Sequence, residues 1–273
     1  MNVRDAKGNA SAASQADTVT GAADAPLAGC AALVTGASSG IGAATAVAIA
    51  QRGAAVALAA RRAERLEELA ATIRDQGGSC IALSADLRDV AQARHTVEDA
   101  ADRLGRLDVL VNNAGYAAIG PVEDGDPEDW ERMIDLNFKA VVHMSQAALP
   151  HLLRAAADGP RGVADLVNVS SVAGRVVRVS NSVYSATKHA VGAFSEGLRQ
   201  EVTERGVRVG LVEPGVTRTE MTTDGGAAAI ARGMPESGWL RADDIARAIS
   251  FMITQPPHAA VNEITVRPTA QGH

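Results

Sequence analysis

The chain of 273 residues contains few aromatic residues, few cysteines and few lysines. Aromatic residues make up 3% of it, and its two cysteines, Cys30 and Cys80, are too few for a disulfide framework or a four-ligand zinc site. Lysine occurs only at positions 7, 139 and 188, so nearly all of the 26 basic residues are arginine. This cysteine usage fits a reducing compartment, and we expect no metal site.

Long apolar runs and blocks of basic charge are also missing. No stretch approaches the roughly 18 apolar residues that a membrane-spanning helix needs, and the N-terminal residues lack the apolar core of a signal peptide. The 26 basic and 32 acidic residues give a formal net charge of −6, which disfavours binding to the phosphate backbone of nucleic acids. We therefore expect a cytoplasmic protein with neither a nucleic-acid nor a membrane partner.

Short apolar runs alternate with segments of helical periodicity over residues 28–273. Such an alternation requires crossover connections between strands, and it is typical of a parallel sheet covered by helices. The sequence predicts a single-domain α/β Rossmann fold, with a doubly wound seven-stranded parallel sheet and helices on both faces. The predicted strands are Ala31–Thr35, Ala55–Ala60, Cys80–Ala85, Val109–Asn112, Ala164–Ser170, Val207–Val212 and Val261–Val266.

Two segments do not follow this alternation. Residues 1–27 carry few large apolar side chains and cannot offset the entropy lost on ordering, so we expect a disordered tail there. Residues 214–240 form a long connection before the last helix, and a long loop inside a compact domain is typical of a loop that covers a substrate.

A glycine-rich turn follows the first predicted strand and leads into a helix. Gly36, Gly40 and Gly42 allow the backbone to turn sharply and approach a pyrophosphate at the helix N-terminus. A purely structural turn is the alternative, because a glycine-rich turn alone is a weak signal. No Gly-Lys-Ser/Thr follows, which excludes a phosphate-hydrolysing P-loop.

The end of the second predicted strand indicates which dinucleotide binds. Sites that prefer NAD commonly carry an acid there, whereas this strand ends in Arg61 and Arg62. Guanidinium groups can pair with a 2′-phosphate, and Ser38 or Ser39 can add a hydroxyl contact. These residues favour NADP(H) over NADH, although both arginines could instead be a solvated helix start.

Tyr184 and Lys188 are four residues apart in a predicted helix and therefore share one face. A nearby ammonium favours the phenolate and lowers the pKa of a tyrosine, which makes Tyr184 a usable general acid or base. Ser171 follows the fifth strand at the carboxyl edge of the sheet, where ligands bind in open α/β folds. A helix-capping or turn serine is the alternative for Ser171.

Together these motifs resemble the short-chain dehydrogenase/reductase family over about residues 29–267. The resemblance rests on the turn Thr35–Gly42, the Asn112-Asn113-Ala114-Gly115 stretch, Ser171 with the Tyr184 and Lys188 pair, and Pro214-Gly215. It implies an NADP(H)-dependent enzyme that acts on a CH–OH or carbonyl group of a small molecule.

The resemblance also implies the role of each catalytic candidate. Tyr184 would exchange a proton with the substrate oxygen, Ser171 would hold that oxygen, and Lys188 would lower the pKa of Tyr184 and bind the nicotinamide ribose. Asn137 matches an asparagine that anchors a water in the proton relay, or it is simply a buried polar residue in a helix bend.

The cofactor contacts implied by the resemblance fall in four segments. For the third of these a structural role in joining strands remains the alternative. The residues are Gly36, Ser38, Gly40, Ile41 and Gly42 at the pyrophosphate, Asp86 and Leu87 at the adenine, Asn113, Ala114 and Gly115 at the ribose, and Pro214, Gly215 and Thr219 at the nicotinamide.

The segments around Arg61 and residues 261–269 are similar to the NADP-dependent branch that contains 3-hydroxy acid dehydrogenases and clavulanate dehydrogenase. That similarity implies a ketone or aldehyde reductase of secondary metabolism. The alternatives are a 3-hydroxy acid dehydrogenase of central metabolism and a non-catalytic NADP-binding regulator.

The family resemblance further implies a homotetramer or homodimer, in which long helices near residues 128–156 and 184–205 pack between subunits. Pro150 is expected to bend or end the first of these helices. We expect an apolar substrate pocket, and Arg175 and Arg178 either meet an acidic substrate or are solvated. The predicted apolar lining is Val172, Val176, Met221, Met234 and Trp239.

Overall fold

The computed structural model describes residues 25–223 and 235–271, and it contains one seven-stranded parallel sheet. The strand order is β3-β2-β1-β4-β5-β6-β7, which confirms the predicted doubly wound sheet. The strands are β1 Ala31–Thr35, β2 Ala55–Ala60, β3 Cys80–Ser84, β4 Val109–Asn112, β5 Ala164–Val169, β6 Val207–Pro214 and β7 Glu263–Val266.

Helices cover both faces of this sheet, as the alternating apolar runs predict. Alternate strand residues point to opposite sides, so Val34 packs with α1, α2 and α8 while Leu33 packs with α3, α5 and α6. The helices are α1 Gly40–Ala50, α2 Ala63–Asp75, α3 Val90–Leu104, α4 Pro127–Ile134, α5 Ala140–Asp158, α6 Ser182–Val202, α7 Glu220–Thr223 and α8 Ala242–Ile253.

Several element ends differ from the sequence prediction. Strand β6 runs on to Pro214 because β7 pairs with it, joining Glu213 to Thr265 and Pro214 to Val266. At the N-terminus, Leu27 is fully buried and its amide donates to the Arg52 carbonyl oxygen at 3.0 Å. The described domain therefore includes residues 25–27, which the sequence places in the expected tail; residues 1–24 lie outside the described part of the chain.

The long helix predicted near residues 128–156 is interrupted, but not at Pro150. A π-helical turn, Asp135–Lys139, separates α4 from α5, and α5 continues through Pro150 to Asp158. Buried Ala148 and Leu152 pack against the sheet on either side of the proline and hold the helix in place. Of the bend or end expected at Pro150, the end is thus wrong, and the irregularity that interrupts the helix lies where Asn137 turns inward.

Candidate active site

A cavity of about 480 Å³ lies at the carboxyl edge of the sheet. Strand β1 lies between β2 and β4, so the chain crosses over to opposite sides at this point and leaves a crevice. Nearly every residue predicted to bind or react lines the cavity, and the two that do not are Gly42 and Asn137. The lining residues among those predicted are Gly36, Ser38, Ser39, Gly40, Ile41, Arg61, Arg62, Asp86, Leu87, Asn113, Ala114, Gly115, Ser171, Tyr184, Lys188, Pro214, Gly215 and Thr219.

The glycine-rich turn brings the backbone against its neighbours. Gly36 and Gly40 have φ angles of 65° and 55°, in the left-handed region that favours glycine. A Cβ on Gly42 would lie 2.4 Å from the carbonyl oxygen of Gly36. Helix α1 begins beside the cavity, and the Ser39 side chain before it makes no capping hydrogen bond. The turn therefore leaves the N-terminus of α1 available to an anion.

Arg62 lies across this turn with its guanidinium oriented by both serines. Its Nε and Nη2 atoms donate to Ser38 Oγ at 3.1 and 2.9 Å, and Nη2 also donates to Ser39 Oγ at 2.8 Å. Its Nη1 atom pairs with Glu220 at 2.7 Å, and Arg65 pairs with the other Glu220 oxygen at 2.9 Å. The exposed Arg62 side chain is therefore hydrogen-bonded to its neighbours, which include two residues, Arg65 and Glu220, that the sequence reasoning missed.

Arginines lower the pKa of both carboxylates at this end of the cavity. Hydrogen bonding from Arg62 is the main cause for Glu220, with Arg65 and Ser39 adding to it. Arg88 pairs with Asp86 at 2.6 Å, and this hydrogen bonding lowers the pKa of Asp86. Both carboxylates are therefore held in the charged form.

Asn113 has a clear structural role at the end of β4. Its side-chain amide donates to the Thr35 carbonyl oxygen at 2.9 Å, and its backbone N–H donates to Thr35 Oγ1 at 2.9 Å. The backbone N–H of Ala114 donates to the same hydroxyl at 3.0 Å. These bonds join the ends of β1 and β4, which is the structural alternative that the sequence left open.

Tyr184, Lys188 and Ser171 meet on one wall of the cavity. Tyr184 and Lys188 are 7% and 5% exposed, and the Lys188 ammonium lies 5.7 Å from the centroid of the Tyr184 ring. That ammonium also donates to the Val169 carbonyl oxygen at 3.0 Å. Ser171 Oγ accepts from the backbone N–H of Ala173 at 3.1 Å, as a capping serine does, and lies 3.5 Å from the Pro214 carbonyl oxygen.

Burial dominates the acid–base properties of this pair. Burial lowers the pKa of Lys188 to about 8 and raises the pKa of Tyr184. The Ser171 hydroxyl acts in the opposite direction and lowers the pKa of Tyr184. Burial is the largest cause of the raised Tyr184 pKa, and Lys188, whose ammonium donates to the Val169 carbonyl oxygen, is not among the groups that shift it. The lowering of the Tyr184 pKa by Lys188 stays a prediction.

Asn137 is fully buried in the π-helical turn and does not line the cavity. Its Oδ1 accepts from the backbone N–H of Tyr116 at 2.8 Å, and its Nδ2 donates to the Tyr116 carbonyl oxygen at 2.9 Å. Nδ2 also donates to Thr187 Oγ1 at 3.1 Å, and that hydroxyl donates to the Tyr184 carbonyl oxygen at 2.7 Å. Asn137 therefore links the end of β4 to the helix that carries Tyr184.

The predicted substrate side is only partly formed as expected. Val172, Val176 and Met221 line the cavity, whereas Trp239 does not, and Met234 lies outside the described residues. The predicted loop, residues 214–240, is described only over 214–223 and 235–240.

The two arginines of the predicted substrate side differ in position. Arg175 pairs with buried Glu213 at 2.6 Å and also with Glu263, so it braces the sheet edge. Arg178 is exposed and lines the cavity. The sequence reasoning missed a third cation, Arg132, which lines the cavity and lies 3.7 Å over the Tyr116 ring.

Within residues 25–223 and 235–271 no group of three or more His, Cys, Asp and Glu side chains is arranged to hold a metal. No helix in the same part of the chain is long and apolar enough to cross a membrane. Cys30 and Cys80 are buried free thiols, and burial raises their pKa values to about 11 and about 12.

Comparison with known proteins agrees with this geometry. Residues 30–229 match the family described as short chain dehydrogenase. The chain belongs to the short-chain dehydrogenase family. An uncharacterised oxidoreductase of Staphylococcus epidermidis is 36% identical over 239 residues, covering 87% of this chain and 96% of the relative.

Solved structures of the family have the same fold. A short chain dehydrogenase from Burkholderia cenocepacia in complex with NADP gives a TM-score of 0.79 at 34% identity, covering 89% of this chain and 98% of that chain. The closed form of a serine dehydrogenase complexed with NADP⁺ gives 0.79 at 31% identity, covering 89% and 96%. An oxidoreductase on a single Rossmann-like domain, as the sequence predicts, is thus confirmed.

Proposed function

We propose that this short-chain dehydrogenase is an NADPH-dependent reductase of a ketone or aldehyde, and in reverse an alcohol dehydrogenase. The observation that carries the proposal is that Ser171 and the buried side chains of Tyr184 and Lys188 line one cavity behind the glycine-rich turn. A phenol, a hydroxyl and an ammonium at one site are groups that can transfer a proton to a carbonyl oxygen.

The residues that line the cavity suit a dinucleotide along its whole length. The tight approach of Gly42 to Gly36 and the N-terminus of α1, which no side chain caps, form a cradle for a pyrophosphate. When bound, the reduced nicotinamide supplies a hydride to the carbonyl carbon of the substrate. Asp86 and Leu87, the 113–115 stretch and the Pro214–Thr219 segment border the remaining length of the cavity.

Each catalytic candidate has a distinct task in this proposal. Tyr184 donates its phenolic proton to the substrate oxygen as that oxygen gains charge. Ser171, which lines the same cavity, holds and polarises the same oxygen. Lys188 binds the hydroxyls of the nicotinamide ribose, and Asn137 positions the Tyr184 helix through Thr187.

The preference for NADPH rests on the cations at the end of β2. Arg62 is directed onto Ser38 and Ser39, and Arg61 lines the same end of the cavity. A planar guanidinium beside two hydroxyls is suited to the 2′-phosphate that distinguishes NADPH from NADH.

We propose that the enzyme belongs to the NADP-dependent branch that contains 3-hydroxy acid dehydrogenases and clavulanate dehydrogenase. Its substrate would then be a ketone or aldehyde of secondary metabolism. The similarity to a solved serine dehydrogenase complexed with NADP⁺ supports this branch, because serine is a 3-hydroxy acid. Exposed Arg178 at the cavity provides a cation for a substrate carboxylate. A 3-hydroxy acid dehydrogenase of central metabolism is the alternative, and it would use the same residues of this chain.

We further propose a cytoplasmic homotetramer, or homodimer, in which the loop at residues 214–240 covers the substrate. Sedimentation velocity measures the number of chains in the assembly, and a particle with the mass of a single chain would contradict the proposed oligomer.

The proposed function is tested by screening ketones, aldehydes and 3-oxo esters with NADPH and with NADH, and 3-hydroxy acids in the reverse direction with NADP⁺ and with NAD⁺. We expect at least one carbonyl class to be reduced, with faster consumption of NADPH than of NADH. Tight binding of NADPH without turnover of any class would instead favour the non-catalytic NADP-binding regulator.

A further inference from the structure

The carboxylate of Glu220 lies among donors that face the glycine-rich turn. Its two oxygens pair with Arg62 at 2.7 Å and with Arg65 at 2.9 Å, and the Ser39 hydroxyl accepts from the same Arg62 at 2.8 Å. Two guanidinium groups and a hydroxyl are the donor set that holds a phosphate. The Glu220 carboxylate therefore occupies a site whose donors, on Arg62, Arg65 and Ser39, could bind a phosphate.

Glu220 reaches this site from the opposite side of the cavity. It is the first residue of α7, directly after Thr219, whereas Arg62 and Arg65 belong to the start of α2. The same segment lies against the glycine-rich turn, since a Cβ on Gly40 would lie 3.0 Å from Thr219 Cγ2. The ion pairs therefore connect the adenine end of the cavity to the segment that follows β6.

We propose that Glu220 is a cofactor-specificity residue that competes with the 2′-phosphate for Arg62 and Arg65. This inference rests on the proposed NADPH site. Ser38 and Ser39 can rotate their hydroxyls to donate to an arriving phosphate, but a carboxylate has no proton to donate and repels it. Glu220 must leave this site before the phosphate binds, so it weakens the affinity for NADPH and leaves that for NADH unchanged.

The size of the effect follows from the exposure of the cluster. The side chains of Arg62, Arg65 and Glu220 are 43%, 52% and 40% exposed, so solvent screens their attraction. Loss of such pairs changes a binding constant by about three- to fivefold. The change should shrink as salt is raised, because added ions screen exposed charges.

The test is a calorimetric titration of wild type and Glu220→Gln with two fragments, adenosine 2′,5′-bisphosphate and 5′-AMP, which differ only in the 2′-phosphate. We expect Glu220→Gln to tighten binding of the bisphosphate about three- to fivefold and to leave binding of 5′-AMP unchanged. Glu67→Gln is the matched control, because Glu67 lies in α2, the helix that contains Arg65, and pairs with Arg74 at 3.2 Å, away from the turn. This control should bind both fragments like wild type.

The outcomes separate this inference from the proposed function. Unchanged or weaker binding of the bisphosphate by a folded Glu220→Gln variant overturns the role of Glu220, as does equal tightening of 5′-AMP. If wild type binds the bisphosphate no better than 5′-AMP, the proposed NADPH preference fails. In that case a gain by Glu220→Gln still supports the competition, and no gain overturns it.

Discussion

At the scale of single residues, Lys188 illustrates how burial sets chemistry. Its ammonium is surrounded by protein and donates to the Val169 carbonyl oxygen, so charging it inside the fold is costly. In a chain that uses arginine at nearly every cationic position, a compact ammonium stands beside the Tyr184 phenol. The same burial that makes Lys188 suitable for a dry active site should therefore reduce the stability of the fold.

Lys188→Met tests this cost. A lysine pKa lowered from 10.5 to about 8 corresponds to about 3 kcal/mol of destabilisation below pH 8, part of which the hydrogen bond to Val169 offsets. Between about pH 8 and 10.5 the unfolded chain binds more protons at Lys188 than the folded one, so wild type gains stability there relative to the variant. We expect Lys188→Met to have a higher free energy of unfolding than wild type at pH 7, and this difference to be smaller above pH 10. Urea unfolding at both pH values measures it.

The matched control is Lys139→Met. Asp135 raises the pKa of the exposed Lys139 through a hydrogen bond, so wild type gains nothing over this variant in the same pH window. A stability difference between wild type and Lys188→Met that is independent of pH would contradict the account of Lys188.

Arg62 gives a second prediction at this scale. Arg62→Ala removes the guanidinium beside Ser38 and Ser39, and a charged hydrogen bond of about 1.5–3 kcal/mol corresponds to about a 10- to 100-fold change in binding. We expect the KM for NADPH to rise by this factor and that for NADH to change little. Arg61→Ala, compared in the same steady-state assay, should have the smaller effect. Equal rises for both cofactors would remove the argument for a 2′-phosphate site.

The sequence predicts residues whose spacing is local and misses those brought together by the fold. Tyr184 and Lys188 are one helical turn apart, so their shared face follows from the period of the helix. Glu220 meets Arg62 across 158 positions of the chain, and no local pattern indicates that contact. Likewise, spacing places Lys188 beside Tyr184 but does not reveal that burial is the largest cause of the raised Tyr184 pKa.

At the scale of elements, the π-helical turn between α4 and α5 is the feature that periodicity does not predict. The extra residue it inserts turns Asn137 into the interior, where its amide satisfies both backbone groups of Tyr116. Pro150 is the more visible helix breaker in the sequence, yet α5 continues through it. Packing against the sheet therefore outweighs the local preference at Pro150.

The junction of β1 and α1 leads to a prediction for Gly42. A methyl group there would lie 2.4 Å from the Gly36 carbonyl oxygen and 2.6 Å from Asn113 Nδ2, so the turn must distort to accept it. Gly42→Ala should lower the free energy of unfolding by about 1–3 kcal/mol, the usual cost of overpacking, and should weaken binding of the dinucleotide. Urea unfolding and a cofactor titration measure the two effects.

Gly197→Ala is the control for that substitution. Gly197 lies exposed within α6, and a Cβ there meets no atom within 4 Å among the residues described. Replacing a glycine inside a helix by alanine should therefore raise stability by about 0.5–1 kcal/mol. If Gly42→Ala were as harmless as Gly197→Ala, the close approach at the turn would have no structural importance.

At the scale of the whole molecule, the parallel sheet explains why distant segments share one site. Every strand points the same way, so the turn after β1, the arginines after β2, Asp86 after β3 and Ser171 after β5 all emerge at one edge. The alternation of apolar runs is enough to predict that edge. It does not predict that Glu220 contacts Arg62 within the cavity, because this ion pair depends on loop conformations.

The central claim is that Tyr184 exchanges the proton of an NADPH-dependent reduction, and Tyr184→Phe tests it most directly. The variant removes one hydroxyl and keeps the ring that packs beside Ala173 and Met133. With a substrate from the carbonyl screen, we predict that single-turnover reduction slows by about a hundred- to ten-thousandfold, as expected for loss of a general acid, while the Kd for NADPH is unchanged. Reduction at a rate close to that of wild type, with NADPH bound normally, would contradict the account.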